Sequence, residues 1–148
     1  MTPTPGYPVS TAARVAAMPD TSVVALDVGG IVIPTTRAAG PGNARGYSAA
    51  DLVRLTLVAT LRRAGCHSAD MLAALALADG AGDGARLAVL HRGPVVLLGD
   101  ADELPLNAAE VRVADVRARV AEMLAALEAV GAASVAGAAA NDDAEVAP

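Results

Sequence analysis

Apolar residues along the chain come in short runs punctuated by glycine and proline, and each run carries a period. Val9, Ala12, Ala13 and Ala16 share one face of a short helix, capped by Ser10 and predicted to run to about Ala17. Met18-Pro19-Asp20 breaks it, because a proline pushes the preceding residue out of the helical region, and Asp20 is placed to cap a second short helix over 21–28. Gly29-Gly30 ends that helix, since glycine adopts the left-handed conformation past a helix end without side-chain cost. Ile31-Val32-Ile33-Pro34 reads as a strand, Gly40-Pro41-Gly42-Asn43 as a turn, and Arg45-Gly46-Tyr47 as the returning strand of a small exposed hairpin.

Ser48-Ala49-Ala50-Asp51 has capping-box spacing, and Leu52, Leu55, Val58, Ala59 and Arg62 follow at helical spacing up to Gly65. Cys66-His67-Ser68 opens another helix, with Met71, Leu72, Leu75 and Leu77 as its apolar positions, and the glycines over 80–84 end it. Two short runs, 87–90 and 95–98, flank His91-Arg92-Gly93-Pro94 as a hairpin, to which 111–113 can add a third strand. Val116, Val120, Met123, Leu127 and Val130 then step by 4, 3, 4 and 3, a heptad seam that packs either on its own domain or on a second copy. The ends carry no such pattern. Residues 1–8, with three prolines, are expected to be an extended mobile lead, and 131–148 a disordered tail.

Composition narrows the core. With 37 alanines among 148 residues, no Trp or Phe, and Tyr7 and Tyr47 as the only aromatics, the interior must be a thin one of Leu, Val, Ile, Met and Ala. The Ala/Arg/Val/Gly bias reads as a GC-rich coding sequence. A single cysteine excludes an intramolecular disulfide framework and a multi-cysteine zinc site. The start, MTPTPGYPVS, has neither the basic nor the apolar part of a secretory signal, and no run reaches the ~20 residues of a membrane span, so the expected location is cytoplasmic. Charge is split. Residues 1–69 carry a net +3 and residues 70–148 a net −8; the mildly basic front half is compatible with a polyanion-facing surface, but on charge alone a chance excess of three charges is the favoured reading.

Candidate chemistry is sparse. His67 and His91 lack a Cys or acidic partner at ligand spacing and read as surface or helix-start residues. Cys66 has no base beside it and reads as a small buried hydrophobe. Asp100, Asp102 and Glu103 lack the alternation of a calcium loop. No phosphate cradle, nucleophile elbow or acid–base–nucleophile set is present, so no enzyme activity, metal or cofactor is expected.

Over roughly residues 7–77 the chain resembles the MerR-type winged helix-turn-helix transcriptional regulators. The segments VSTAARVAAMPDTSVVALD, GGIVIP, RAAGPGNARGYSAADLVRL and LRRAGCHSADML follow the family's order of helix pair, Gly-Leu-Leu-x-Pro, wing, Tyr-Ser-x-x-Asp-Leu helix and Ala-Gly-x-Ser helix. Tyr47-Ser48-Ala49-Ala50-Asp51-Leu52 through Gly65 is the most specific part. The resemblance implies a dimeric DNA-binding regulator. Thr21 and Ser22 match the start of the recognition helix, Arg14 the arginine of the first helix, and Arg37, Asn43, Arg45 and Tyr47 the wing. Guanidinium groups pair bidentately with phosphate, which agrees with those roles. The sequence departs from the pattern at Val23-Val24-Ala25-Leu26, where the family carries an arginine and aromatics, and metal sensing has no ligands here.

The expected fold is therefore mainly α with short β-hairpins: a winged helix-turn-helix over 9–77, then a β-hairpin plus C-terminal helix over 85–130. The expected function is double-stranded DNA binding, with 21–28 in the major groove and the wing on the phosphate backbone. The expected homodimer would form through Val116, Val120, Met123 and Leu127. The alternative is a winged-helix module that has lost DNA and binds a protein through an exposed Val24-Ala25-Leu26 face.

Overall fold

A computed structural model describes residues 6–37, 44–91 and 93–145, with side chains described except at 83 and 133–145. The chain is mainly helical. Among the described residues there are five helices and two small antiparallel sheets. Helices α1 (Val9–Ala16) and α2 (Asp20–Val28) form the first pair, and strands β1 (Thr36–Arg37) and β2 (Arg45–Gly46) a two-stranded hairpin. Helices α3 (Ala49–Arg63) and α4 (Ser68–Ala81) follow, then a 3-10 turn, Gly82–Gly84. Strands β3 (Arg86–Leu90), β4 (Val95–Leu98) and β5 (Ala108–Arg112) make a sheet of order β4-β3-β5, and α5 (Val113–Glu145) closes the chain.

One core runs through both halves. Val15, Val23, Leu26, Val32, Tyr47, Leu52, Leu55, Val58, Leu61, Met71, Leu75 and Leu87 are its largest fully buried side chains. They come from all four leading helices and the sheet, so α1–α2 and α3–α4 cannot separate without exposing apolar surface.

Local chemistry differs from the sequence expectation at several places. Neither Ser10 nor Asp20 caps a helix through its side chain; Pro8 and Pro19 occupy the two cap positions, and Asp20 is the first residue of α2. The break between them turns on Ala17, which takes the left-handed conformation at φ 54°. The segment 31–34 is not a strand. The amides of Ile31 and Val32 donate to the carbonyl of Leu26 at 2.9 and 3.2 Å, so they cap the end of α2 instead of pairing with a neighbour strand. The hairpin consequently begins later, in the register Thr36 with Gly46 and Arg37 with Arg45. The Ser48–Asp51 capping box is present as expected. Asp51 Oδ2 also accepts from the Thr35 amide at 2.9 Å and the Thr35 hydroxyl at 2.5 Å, which stitches the hairpin's first arm to the start of α3.

The heptad seam is used inside the chain. Val116 and Val120 are buried in the core, and Met123 and Leu127 pack against it. Val116 and Val120, expected at a dimer contact, are thus committed to the chain's own core, where the first half of α5 packs against α3 and α1. The helix then runs on to Glu145, through a stretch where no periodicity predicts an element. Alanine, the strongest helix former, sustains a helix without an apolar stripe. At the other end, Tyr7 exchanges two backbone hydrogen bonds with Tyr47, 2.8 and 2.9 Å, where a mobile lead was expected. Glycine permits this approach, since a Cβ at Gly6 would lie 2.5 Å from the Gly46 carbonyl carbon.

Strands β4 and β5 both run antiparallel to β3, so the connection 99–107 has to cross β3. Arg86 holds it: Nη1 donates to the carbonyls of Gly99 and Asp102 at 2.8 and 3.2 Å, and Nε to Glu110 Oε1 at 2.6 Å. Asp102 Oδ2 accepts from the Gly99 amide at 2.6 Å, so Asp102 serves the loop's own geometry.

Candidate nucleic-acid interface

Helix α2 has two sides. Val23, Leu26 and Asp27 are buried, and Ser22 and Val24 are half-buried. Asp20, Thr21, Ala25 and Val28 face solvent. Leu26 at 1% exposure removes one of the residues on which an apolar protein-binding face was to rest, because its position in the helical period points inward.

The buried acid is the organising residue. Asp27 has a side chain only 1% exposed and lies in the last turn of α2, where the helix dipole disfavours a carboxylate. Burial of an unpaired charge would cost several kcal/mol. Two hairpin arginines answer it: Arg37 Nη2 pairs with Oδ1, and Arg45 Nε with Oδ2 at 2.5 Å. Their side chains are 45% and 24% exposed, so both cations remain partly at the surface. One negative charge against two positive ones leaves this end of α2 formally cationic. A guanidinium carries five N–H donors, and each arginine commits one of them to Asp27.

Arg14 stands at the opposite end of α2. It is exposed on α1 and, with Ser10, Pro19 and Asp20, lines a shallow open hollow at the break between the helices. Arg63 donates from Nη2 to the Ala17 carbonyl at 3.1 Å, which holds the C-terminal end of α3 against the same break. Cations thus bracket a nine-residue helix, about 13.5 Å long at 1.5 Å rise per residue.

The expected site residues fare differently. Thr21 is exposed and Ser22 half-buried at the start of α2. Arg37 and Arg45 meet at one carboxylate. Asn43 lies outside the described residues. Tyr47 does not reach the surface. It is fully buried and is among the largest side chains of the core. Its phenolic oxygen has no hydrogen-bond partner among the described residues. Burial pushes this phenol's pKa up, the Asp27 carboxylate adds to the rise, and Arg45 and Arg37 oppose it.

Asp27 is the functional candidate that the sequence reading missed. Its signal was present as a lone acid in the otherwise apolar second half of a short helix, 23–28, a position that needs a cationic partner.

Elsewhere the polar residues serve structure. Cys66 is buried with its pKa raised by that burial, and its Sγ lies 3.5 Å from the His67 carbonyl. His67 and His91 are exposed. Among the described residues no group of three His, Cys, Asp or Glu gathers at metal-holding spacing, and no helix is long and apolar enough to cross a membrane. Comparison with known proteins finds no family model that matches the chain and no curated protein similar to it.

Proposed function

We propose that the chain binds double-stranded DNA as a transcriptional regulator of the MerR type, with α2 in the major groove and the β1–β2 hairpin on the adjoining backbone. The observation that carries this reading is the Asp27–Arg37–Arg45 cluster. It joins a short helix with an exposed polar start to a hairpin bearing half-exposed guanidinium groups, so that helix and wing move as one body. Phosphate is the ligand such groups suit, by charge and by donor geometry. Arg14 at the far end of α2 adds a cation on the other side. The buttress is α3–α4, anchored to the hairpin through Asp51 and Thr35.

In this reading the hairpin positions the protein and carries no base information. The cytoplasm and a two-fold dimer belong to it as well, the dimer contact using exposed surface such as Val130, 64% exposed on α5, since Val116 and Val120 are committed to the core.

Fluorescence anisotropy against labelled duplexes from the gene's own upstream region, with a scrambled duplex as control and salt as the titrant, tests the proposal. Binding is expected to weaken with salt at a log–log slope of about 0.9 per phosphate contact, and Arg45→Ala to weaken it about equally on both duplexes. Absence of binding at low salt would overturn it.

A further inference from the structure

We infer that the solvent face of α2 reads thymine methyl groups, an assignment that rests on the DNA-binding reading above. Three exposed residues, Thr21, Ala25 and Val28, are spaced i, i+4 and i+7 and form one stripe along the helix. Val28 is 78% exposed at its end, and Ile33, 59% exposed, follows past the glycine turn. The stripe ends in apolar carbon and offers a single hydroxyl.

That chemistry restricts what the helix can recognise. Guanine is read by Arg or Lys, and adenine by Asn or Gln, through paired hydrogen bonds to the major-groove edge. None of these residue types occurs on α2. Asp20, at the first turn, could accept from a cytosine amino group, but it presents a negative charge toward a polyanion. The remaining feature of the major groove is the thymine C5-methyl, which Ala, Val and the methyl of Thr touch directly. Charge selects DNA as the occupant of this face: Arg14 stands beyond one end of the stripe, and Arg37 and Arg45 beyond the other. Cations contribute affinity without sequence preference, and the methyl contacts supply the preference.

Uracil differs from thymine at this edge by one methyl, so substitution isolates the contact. Duplexes are enriched on the full chain from a fully randomised pool, and the enriched site is synthesised with thymidine or with deoxyuridine. The wild-type chain is expected to bind the deoxyuridine form about fourfold more weakly for each contacted methyl, the factor that about 0.8 kcal/mol per buried carbon corresponds to. Val28→Ala is expected to narrow the thymidine–deoxyuridine gap, while Arg45→Ala lowers both affinities and leaves the gap unchanged. Equal binding of the two forms, or a gap that Val28→Ala and Ala25→Gly both leave intact, would overturn the inference while DNA binding stands. Failure to enrich any duplex would overturn the DNA reading and the inference together.

Discussion

The carboxylate of Asp27 accepts a 2.5 Å hydrogen bond from Nε of Arg45, eighteen residues further along, and this contact ties the last turn of α2 to the second strand of the hairpin. Arg37 takes the other oxygen of the same carboxylate. A buried acid shared by two partly exposed cations is asymmetric: the arginines can turn to water if the acid is lost, whereas the acid cannot. Arg45→Ala is therefore expected to cost about 2 kcal/mol of stability, and Asp27→Asn about 1 kcal/mol, since the amide keeps the shape and can still accept a hydrogen bond. Urea unfolding of the two variants checks the order. A larger loss in Asp27→Asn than in Arg45→Ala would refute it.

Ala17 joins α1 to α2 in a conformation that an alanine adopts at a penalty. Ala17→Gly removes the penalty, offset in part by the extra freedom of glycine in the unfolded chain, and is expected to stabilise the fold by about 0.5–1 kcal/mol. The position is exposed, so packing does not intrude. A lower thermal midpoint in the variant would show that another term controls the break.

The hydroxyl of Tyr47 is buried without a hydrogen-bond partner among the described residues, an arrangement that typically costs about 1–3 kcal/mol. Tyr47→Phe keeps the ring and drops the oxygen. Its unfolding midpoint is expected to match or exceed wild type by up to about 1 kcal/mol, and DNA affinity is expected to stay unchanged because the ring is interior. A clear loss of either would mean that the phenol has work to do.

Glu110 on β5 bridges Arg86 on β3 and Arg112 on β5. The hydrogen bond from Arg86 is the main reason that its carboxyl titrates below the usual range, with the charges of Arg112 and Arg86 adding to it and partial burial opposing. A folded-state pKa below the unfolded one means that the bridge contributes above the ordinary carboxylate pKa and is lost as pH falls through the depressed value. Thermal midpoints are expected to drop more steeply with acidification in the wild type than in Glu110→Gln over that acid window. Parallel curves would indicate that the bridge is neutral. The connection 99–107 should keep its shape in the variant, because Arg86 Nη1 holds its carbonyls independently.

Much of the architecture was legible in the residue order because its determinants are local. The Ser48–Asp51 box, the glycine pair after Val28 and the two apolar runs around residues 91–94 act within a few positions, and their elements lie where the pattern places them. The same locality explains the misplaced strand. The apolar run 31–34 has strand propensity, yet its first two amides lie next to the open carbonyl of Leu26, and capping α2 satisfies them without a partner strand. It also explains Glu145: helix propensity in an alanine-rich tail acts residue by residue and leaves no periodic trace.

What tertiary structure decided is which groups share a contact. The order of residues determined that the last turn of α2 would carry one acid and the hairpin two arginines; only the fold brought Arg37 and Arg45, ten and eighteen residues away, onto both oxygens of that acid. It likewise assigned Tyr47 to the core, where the resemblance implied a phosphate contact, and Val116 and Val120 of the seam to the chain's own core, where the pattern alone suited a partner helix equally well. The reason is physical. Propensity and capping depend on neighbours in sequence, whereas burial and ion pairing depend on which surfaces remain uncovered once the helices have packed.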